Sequence, residues 1–129
     1  MSEQLVFDAL KYRIDVDEGG THCYYNSAGE LHRDDGPAVE YEDGHVEWYQ
    51  NGRLHRNHGP AAIWWNGTKE WYQNGQLHRI DGPAIEWASG RKDWFQNGKR
   101  HRTDGPAIEW SHSIKDWCIN GVRLTESEF

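Results

Sequence analysis

The stretch Trp71-Tyr72-Gln73-Asn74-Gly75 decides how this chain is read. The same pattern stands upstream as Trp48-Tyr49-Gln50-Asn51-Gly52, and downstream as Trp94-Phe95-Gln96-Asn97-Gly98 and Trp117-Cys118-Ile119-Asn120-Gly121. Each copy lies 23 residues from the next, without a gap. An aromatic strand that runs into Asn-Gly marks a two-residue hairpin turn, because both central residues of that turn need positive φ. Two further signatures keep the period: His-Arg at 32–33, 55–56, 78–79 and 101–102, and Gly-Pro-Ala at 36–38, 59–61, 82–84 and 105–107.

Working outward, one unit reads as a short strand over Ala84–Trp87, a turn at Ser89-Gly90, a strand over Lys92–Gln96 and a turn at Asn97-Gly98. A strand over Lys99–Arg102 and an Asp104-Gly105-Pro106 loop complete it. No stretch has helical periodicity, and Pro breaks the ladder where each unit joins the next. The expected fold class is therefore all-β: a repeat array of antiparallel β-hairpins, elongated and twisted, in which each unit packs mainly on its neighbours. Residues 1–24 form an N-terminal segment, with a capping hairpin around Gly19-Gly20. Residues 25–123 form four to five repeats, and residues 124–129 a tail.

Two-residue turns at both corners predict a register. It sets Phe95 opposite Arg100 and Trp94 opposite His101, and it sets Glu47, Glu70 and Asp93 opposite Arg56, Arg79 and Arg102. Around Ser89-Gly90 it sets Trp87 opposite Lys92 and Ile85 opposite Trp94. Ile85, Trp87, Trp94 and His101 then share one face, with His packed on Trp, and the carboxylates and Arg share the other.

Composition bounds the function. The chain has 129 residues, one domain's worth, with a hydrophobic share of 36% and eight Trp. The formal charge of −7 disfavours a nucleic-acid partner. No apolar run reaches membrane-spanning length, and the N-terminus lacks the basic and apolar regions of a signal peptide. Two cysteines, Cys23 and Cys118, make no disulfide framework. A reducing, cytoplasmic location is the expectation.

The period, the aromatic strand, the Asn-Gly turn and the basic residue, His and Gly that follow it resemble MORN-type repeats over roughly residues 25–123. The His-Arg-x-Asp-Gly-Pro-Ala signature is similar to that of uncharacterised phage and large-virus proteins. The resemblance implies an elongated antiparallel array and a role in scaffolding, protein docking or, in some members, contact with acidic lipid. It implies no enzyme and, for a viral protein, the host cytoplasm.

His-Arg-x-Asp supplies a base, a cation and a carboxylate, but a catalytic centre is normally built once, whereas this set recurs in every unit. The structural reading assigns Arg to bridging carboxylates and Asp35, Asp81 and Asp104 to holding the turn amides before Pro. His58 replaces that Asp in one repeat, which suits a structural role better than acid–base chemistry. His22-Cys23 and the His55/His58 pair fall short of the four close ligands of a zinc site. No metal or cofactor is expected, and neither a phosphate loop nor a nucleophile elbow occurs.

Departures from the internal consensus point to function. Ile63 stands where other units have Glu40, Glu86 and Glu109, and Trp65 where they have Glu42, Ala88 and Ser111. Trp64 lies between them, and His58 and Ala62 are in the same unit, so one central repeat exchanges charge for apolar and aromatic surface, the composition of a binding hot spot. The competing expectation is that Ile63 and Trp65 pack under Leu5–Leu10. The leading function is a non-enzymatic module docking onto a protein partner, as an inhibitor or sequestering factor. A second is sequestration of a nucleotide-type signalling ligand by stacked Trp with Arg56, Arg79, Arg102 and the histidines. A third, acidic-lipid binding, rests on the resemblance and has only the short Lys99-Arg100-His101-Arg102 stretch behind it. Unprotected sheet edges make self-association a further expectation.

Overall fold

The computed structural model describes residues 12–110 and 114–129. Among them there is no helix. Eleven strands form one antiparallel sheet and six more short strands form three two-stranded hairpins. The main sheet is open, not a closed barrel. It runs from Arg13–Val16 at one edge to Val122–Leu124 at the other, with each strand beside its predecessor in the sheet. At about 4.8 Å per strand, eleven strands cover roughly 50 Å. The chain is thus an all-β array of antiparallel hairpins. Leu5–Leu10, and with it the packing expected over Ile63 and Trp65, lies outside the described residues.

Two turn chemistries build each unit. Asn51, Asn74, Asn97 and Asn120 have φ near 50° and the glycines after them φ near 80°, the geometry of two-residue hairpin loops. The expected pairs around Asn97-Gly98 form, with Phe95 opposite Arg100 and Gln96 opposite Lys99. The other corner differs. Trp87 N–H donates to the Arg91 carbonyl at 2.9 Å, and Gly90 N–H donates back to the Trp87 carbonyl at 2.9 Å. Three residues, Ala88-Ser89-Gly90, therefore make the loop, with Gly90 in the left-handed region at φ 96°. The same loop closes on Tyr41 and His45, and on Trp64 and Thr68.

That extra residue moves the register by one. Ile85 pairs with Asp93 and Glu86 with Lys92, in place of the expected Ile85–Trp94 and Trp87–Lys92 pairs. Because side chains alternate between faces, the slip redistributes them. One face carries a row of Val39, Glu47, Ala62, Glu70, Ile85, Asp93, Ile108 and Asp116, apolar and acidic in turn. The other carries His22, Glu40, Val46, Ile63, Lys69, Glu86, Lys92, Glu109 and Lys115. By the same alternation Trp64, Trp87 and Trp110 lie on the first face and Trp48, Trp71 and Trp94 on the second. The two Trp rows occupy opposite faces, and Ile85 does not share a face with Trp94.

The acids of the first row find partners on their own face. Tyr49 and Tyr72 hydroxyls donate to Glu47 at 3.2 Å and to Glu70 at 3.1 Å. Burial, reinforced by these carboxylates, pushes the Tyr49 hydroxyl up to about 12 and raises Tyr72 further. Phe95 and Cys118 take the tyrosine position in the next two units. There the acid shortens to Asp and pairs with arginine: Asp93 with Arg91 at 2.8 Å, Asp116 with Arg123 at 2.8 Å. The apolar core is thin. Ala38, Ala61, Ala84 and Ala107 are fully buried at the repeat junctions, with Val39, Ala62, Ile85 and Ile108 beside them. Each junction alanine carbonyl accepts a backbone N–H from the preceding unit, Ala38 from Tyr24 and Ala61, Ala84 and Ala107 from Trp48, Trp71 and Trp94, as Ala84 does from Trp71 at 2.7 Å.

Candidate functional site

The His-Arg-x-Asp-Gly-Pro-Ala signature resolves into a joint between repeats. Arg33, Arg56, Arg79 and Arg102 lay their guanidinium groups over the rings of Tyr24, Trp48, Trp71 and Trp94 at 3.8–3.9 Å. From there Nη1 donates to the carbonyls of Pro37, Pro60, Pro83 and Pro106 at 3.0–3.2 Å. The opposite face of each guanidinium lies against glycine. A Cβ on Gly82 would sit 2.9 Å from Arg79 Cζ, and one on Gly105 2.7 Å from Arg102 Cζ. A side chain at these positions would have to press the guanidinium aside.

Arginine, not histidine, therefore covers the tryptophan ring. The histidines do different work: Nδ1 of His32, His55, His78 and His101 accepts the backbone N–H of Asn51, Asn74, Asn97 and Asn120 at 2.9–3.0 Å. Each ties its loop to the hairpin turn of the following unit. The acids differ from expectation as well. Asp35, Asp81 and Asp104 accept from Arg Nε at 3.2, 3.2 and 2.9 Å rather than holding the turn amides. Arg102 is accordingly not opposite Asp93. It pairs with Asp104 and, at 3.5 Å, with Glu109.

Three of the four arginines are thus neutralised twice. Arg33 has Asp35 and Glu40, Arg79 has Asp81 and Glu86, and Arg102 has Asp104 and Glu109. Arg56 has neither. His58 stands where the Asp would be and Ile63 where the Glu would be, and among the described residues Arg56 makes no ion pair. Its charge is half-buried with no carboxylate beside it, and burial alone lowers its pKa from the ordinary guanidinium value.

A second departure lies on the same face of the sheet. The row of opposite charges reads Lys69, Glu86, Lys92, Glu109, Lys115 through the later units. Ahead of Lys69 it is interrupted by a cross-strand Val46–Ile63 pair, both half-buried. Valine holds the position of a lysine and isoleucine that of a glutamate. Two grooves flank the Arg56 loop. One of about 620 Å³ is lined by Arg33, Asp35, Trp48, His55, Arg56 and His58 among others. Its neighbour, about 640 Å³, is bounded by Arg56, His58, Trp71, His78, Arg79 and Ile80. Arg56 lines both.

The residues singled out from sequence fall into three places. Arg56, His58 and Ile63 converge on the unneutralised joint. Trp64 is on the opposite face, its ring 4.0 Å from that of the buried His45. Trp65 sits in the three-residue loop after it and is 69% exposed, the most exposed tryptophan. Arg79 and Arg102 are locked in internal ion pairs and are not equivalent to Arg56. Val46 and Ile80 were not singled out from the sequence. Val46 was legible by comparison with Lys69, Lys92 and Lys115 at the same repeat position. Ile80, 72% exposed, was legible as an apolar residue inside a polar turn. Cys23 and Cys118 are both free thiols, on different strands of the main sheet.

No protein-family model, curated protein or solved structure matches this chain.

Proposed function

We propose that the protein is a non-enzymatic docking module, MORN-like in its repeat, that holds a protein partner on its central units. The observation behind this reading is the coincidence of two departures in one place. The joint that neutralises its arginine in three units leaves Arg56 bare, and the charge row on the same face gives way to Val46–Ile63. An enclosed structural unit has no use for either change, whereas a partner surface supplies both a counter-charge and apolar cover. Trp65, a large amphipathic ring on the adjoining loop, adds contact area at low entropic cost.

The other functions expected from sequence have less behind them. In the joints arginine already covers one face of each tryptophan ring that would stack on a nucleobase. The most basic stretch is internally neutralised, Arg100 by Asp93 and Arg102 by Asp104 and Glu109, which leaves little for an acidic membrane. The four repeated histidines spend Nδ1 on backbone hydrogen bonds, so each has a structural role that needs no catalytic one.

Affinity capture from a cell lysate with three baits tests the reading. The natural protein is expected to retain a discrete partner that Trp65→Ala and the Val46→Lys/Ile63→Glu pair release. Trp110→Ala, in a distant unit, retains it. Equal retention by all baits, or no discrete partner, refutes the docking role.

A further inference from the structure

We propose that Arg56 receives a carboxylate from an acidic segment of the partner, in the place that Asp and Glu side chains fill beside Arg33, Arg79 and Arg102. The proposal rests on the docking reading and names the chemistry of the partner. The fold itself shows what the site accepts. In three copies of the same joint a carboxylate lies 2.9–3.2 Å from Arg Nε, and a second lies 3.1–3.6 Å from Nη1. Trp48, Gly59 and the Pro60 carbonyl fix the Arg56 guanidinium as their counterparts fix the others, with Nη1 3.0 Å from Pro60. The donor fork is therefore already oriented, and the entropic cost of ordering a long side chain is met before any ligand arrives.

Position and charge narrow the occupant further. His58 is exposed, so the Nε side of Arg56 opens to solvent where the other joints present an Asp. Both grooves beside it are accessible. Ile63 takes the position of the missing Glu, so the Nη1 side is bordered by apolar surface that continues to Val46. A Glu or Asp flanked by an aliphatic residue matches this sequence of donors and apolar surface. In the other joints each carboxylate meets the guanidinium through a single nitrogen, so one side-chain acid at Nε is the equivalent ligand for Arg56. Beyond the joint the protein is strongly acidic, so a segment carrying a single acid among apolar residues fits better than a polyanionic one.

The test uses the intact protein and follows the Arg Nε–Hε resonances by NMR during titration, with sodium chloride as the ionic-strength control. The probes are sodium acetate, inorganic phosphate and the peptide acetyl-Leu-Glu-Leu-amide. The expected result is a saturable shift of Arg56 with acetate, while Arg33, Arg79 and Arg102 stay fixed. The peptide should bind roughly tenfold tighter, the gain from one additional apolar contact. His58→Asp and Ile63→Glu, each returning a carboxylate found in the other units, should each weaken the response, and the double variant should abolish it. The fixed resonances of Arg79 and Arg102 report that each variant is folded. No saturable shift of Arg56, or an undiminished shift in the double variant, overturns the proposal. So does saturation by phosphate well below the acetate concentration with no gain from the peptide, which would make the site a phosphate site. All these readouts are independent of lysate capture. A lost partner with intact acetate binding refutes the docking role, and the reverse refutes only the carboxylate assignment.

Discussion

Replacing Asp93 by Ala removes a carboxylate that is 1% exposed, sits between Ile85 and Ile108 in its row, and holds two arginines. Arg91 donates Nε to Oδ1 at 2.8 Å and Nη2 to Oδ2 at 3.0 Å, and Arg100 Nη2 lies 3.5 Å from Oδ2. Breaking a buried pair from one side costs about 3–5 kcal/mol, because the remaining charge is stranded. Here the stranded charges are not deep: the Arg91 and Arg100 side chains are 30% and 42% exposed and regain water. The expected loss is therefore smaller, about 2–3 kcal/mol. The converse change, Arg91→Ala, strands the buried carboxylate with only the longer Arg100 contact and should cost at least as much. The double variant should cost less than the sum by about 1–3 kcal/mol, since both singles remove one interaction. Urea unfolding followed by tryptophan fluorescence and far-UV circular dichroism measures all three, with coincident curves checking that a single transition is being read. A loss below about 1 kcal/mol for Asp93→Ala, or strict additivity in the double variant, would refute the view that this pair secures the penultimate unit.

Three more outcomes are expected. Tyr49 and Tyr72 hold their protons more tightly folded than unfolded, so the stability they contribute is full below about pH 10 and falls as pH rises through the folded values. Thermal melts between pH 8 and 11.5 should show that decline, and it should flatten in Tyr49→Phe/Tyr72→Phe. Gly82→Ala should force the Arg79 guanidinium off Trp71 and cost about 1.5–3 kcal/mol in denaturant unfolding, the sum of a cation–π contact and a hydrogen bond to Pro83. An unchanged midpoint would deny the sandwich any energetic role. Burial pushes the Cys118 thiol up, with Asp116 adding to it, and leaves the residue 5% exposed. Cys118 should react with a disulfide reagent far more slowly than a free thiol until denaturant is added, whereas rapid labelling in buffer would contradict the burial.

The class of fold was legible because the Asn-Gly turns carry their own geometry: at Asn97-Gly98 the expected partners meet. Ser89-Gly90 misleads because the same Gly that allows a two-residue turn also closes a three-residue loop, and the sequence does not say which side of the turn absorbs the extra residue. That single residue carried Trp94 to the face opposite Ile85. The Asp93–Arg102 pair expected across Asn97-Gly98 fails for a separate reason: the hairpin ladder ends at Trp94–His101, and Arg102 folds back to stack on Trp94. The site was half visible. His58 and Ile63 stand out against the repeat, but their common effect requires knowing that positions two and seven beyond each arginine both reach its guanidinium. Sequence spacing shows the substitutions, and only the folded loop shows that they strip the same charge.

The joints between units also bear on how the chain reaches its fold during synthesis. Gln50 reaches back 17 residues to the Arg33 carbonyl, and Asn51 reaches back 19 to His32. Each bond completes as soon as the next hairpin exists, so little loop-closure entropy separates one step from the next. The array can zip behind the ribosome unit by unit, each hairpin settling on one already formed. A nascent chain of two units then already contains a complete joint.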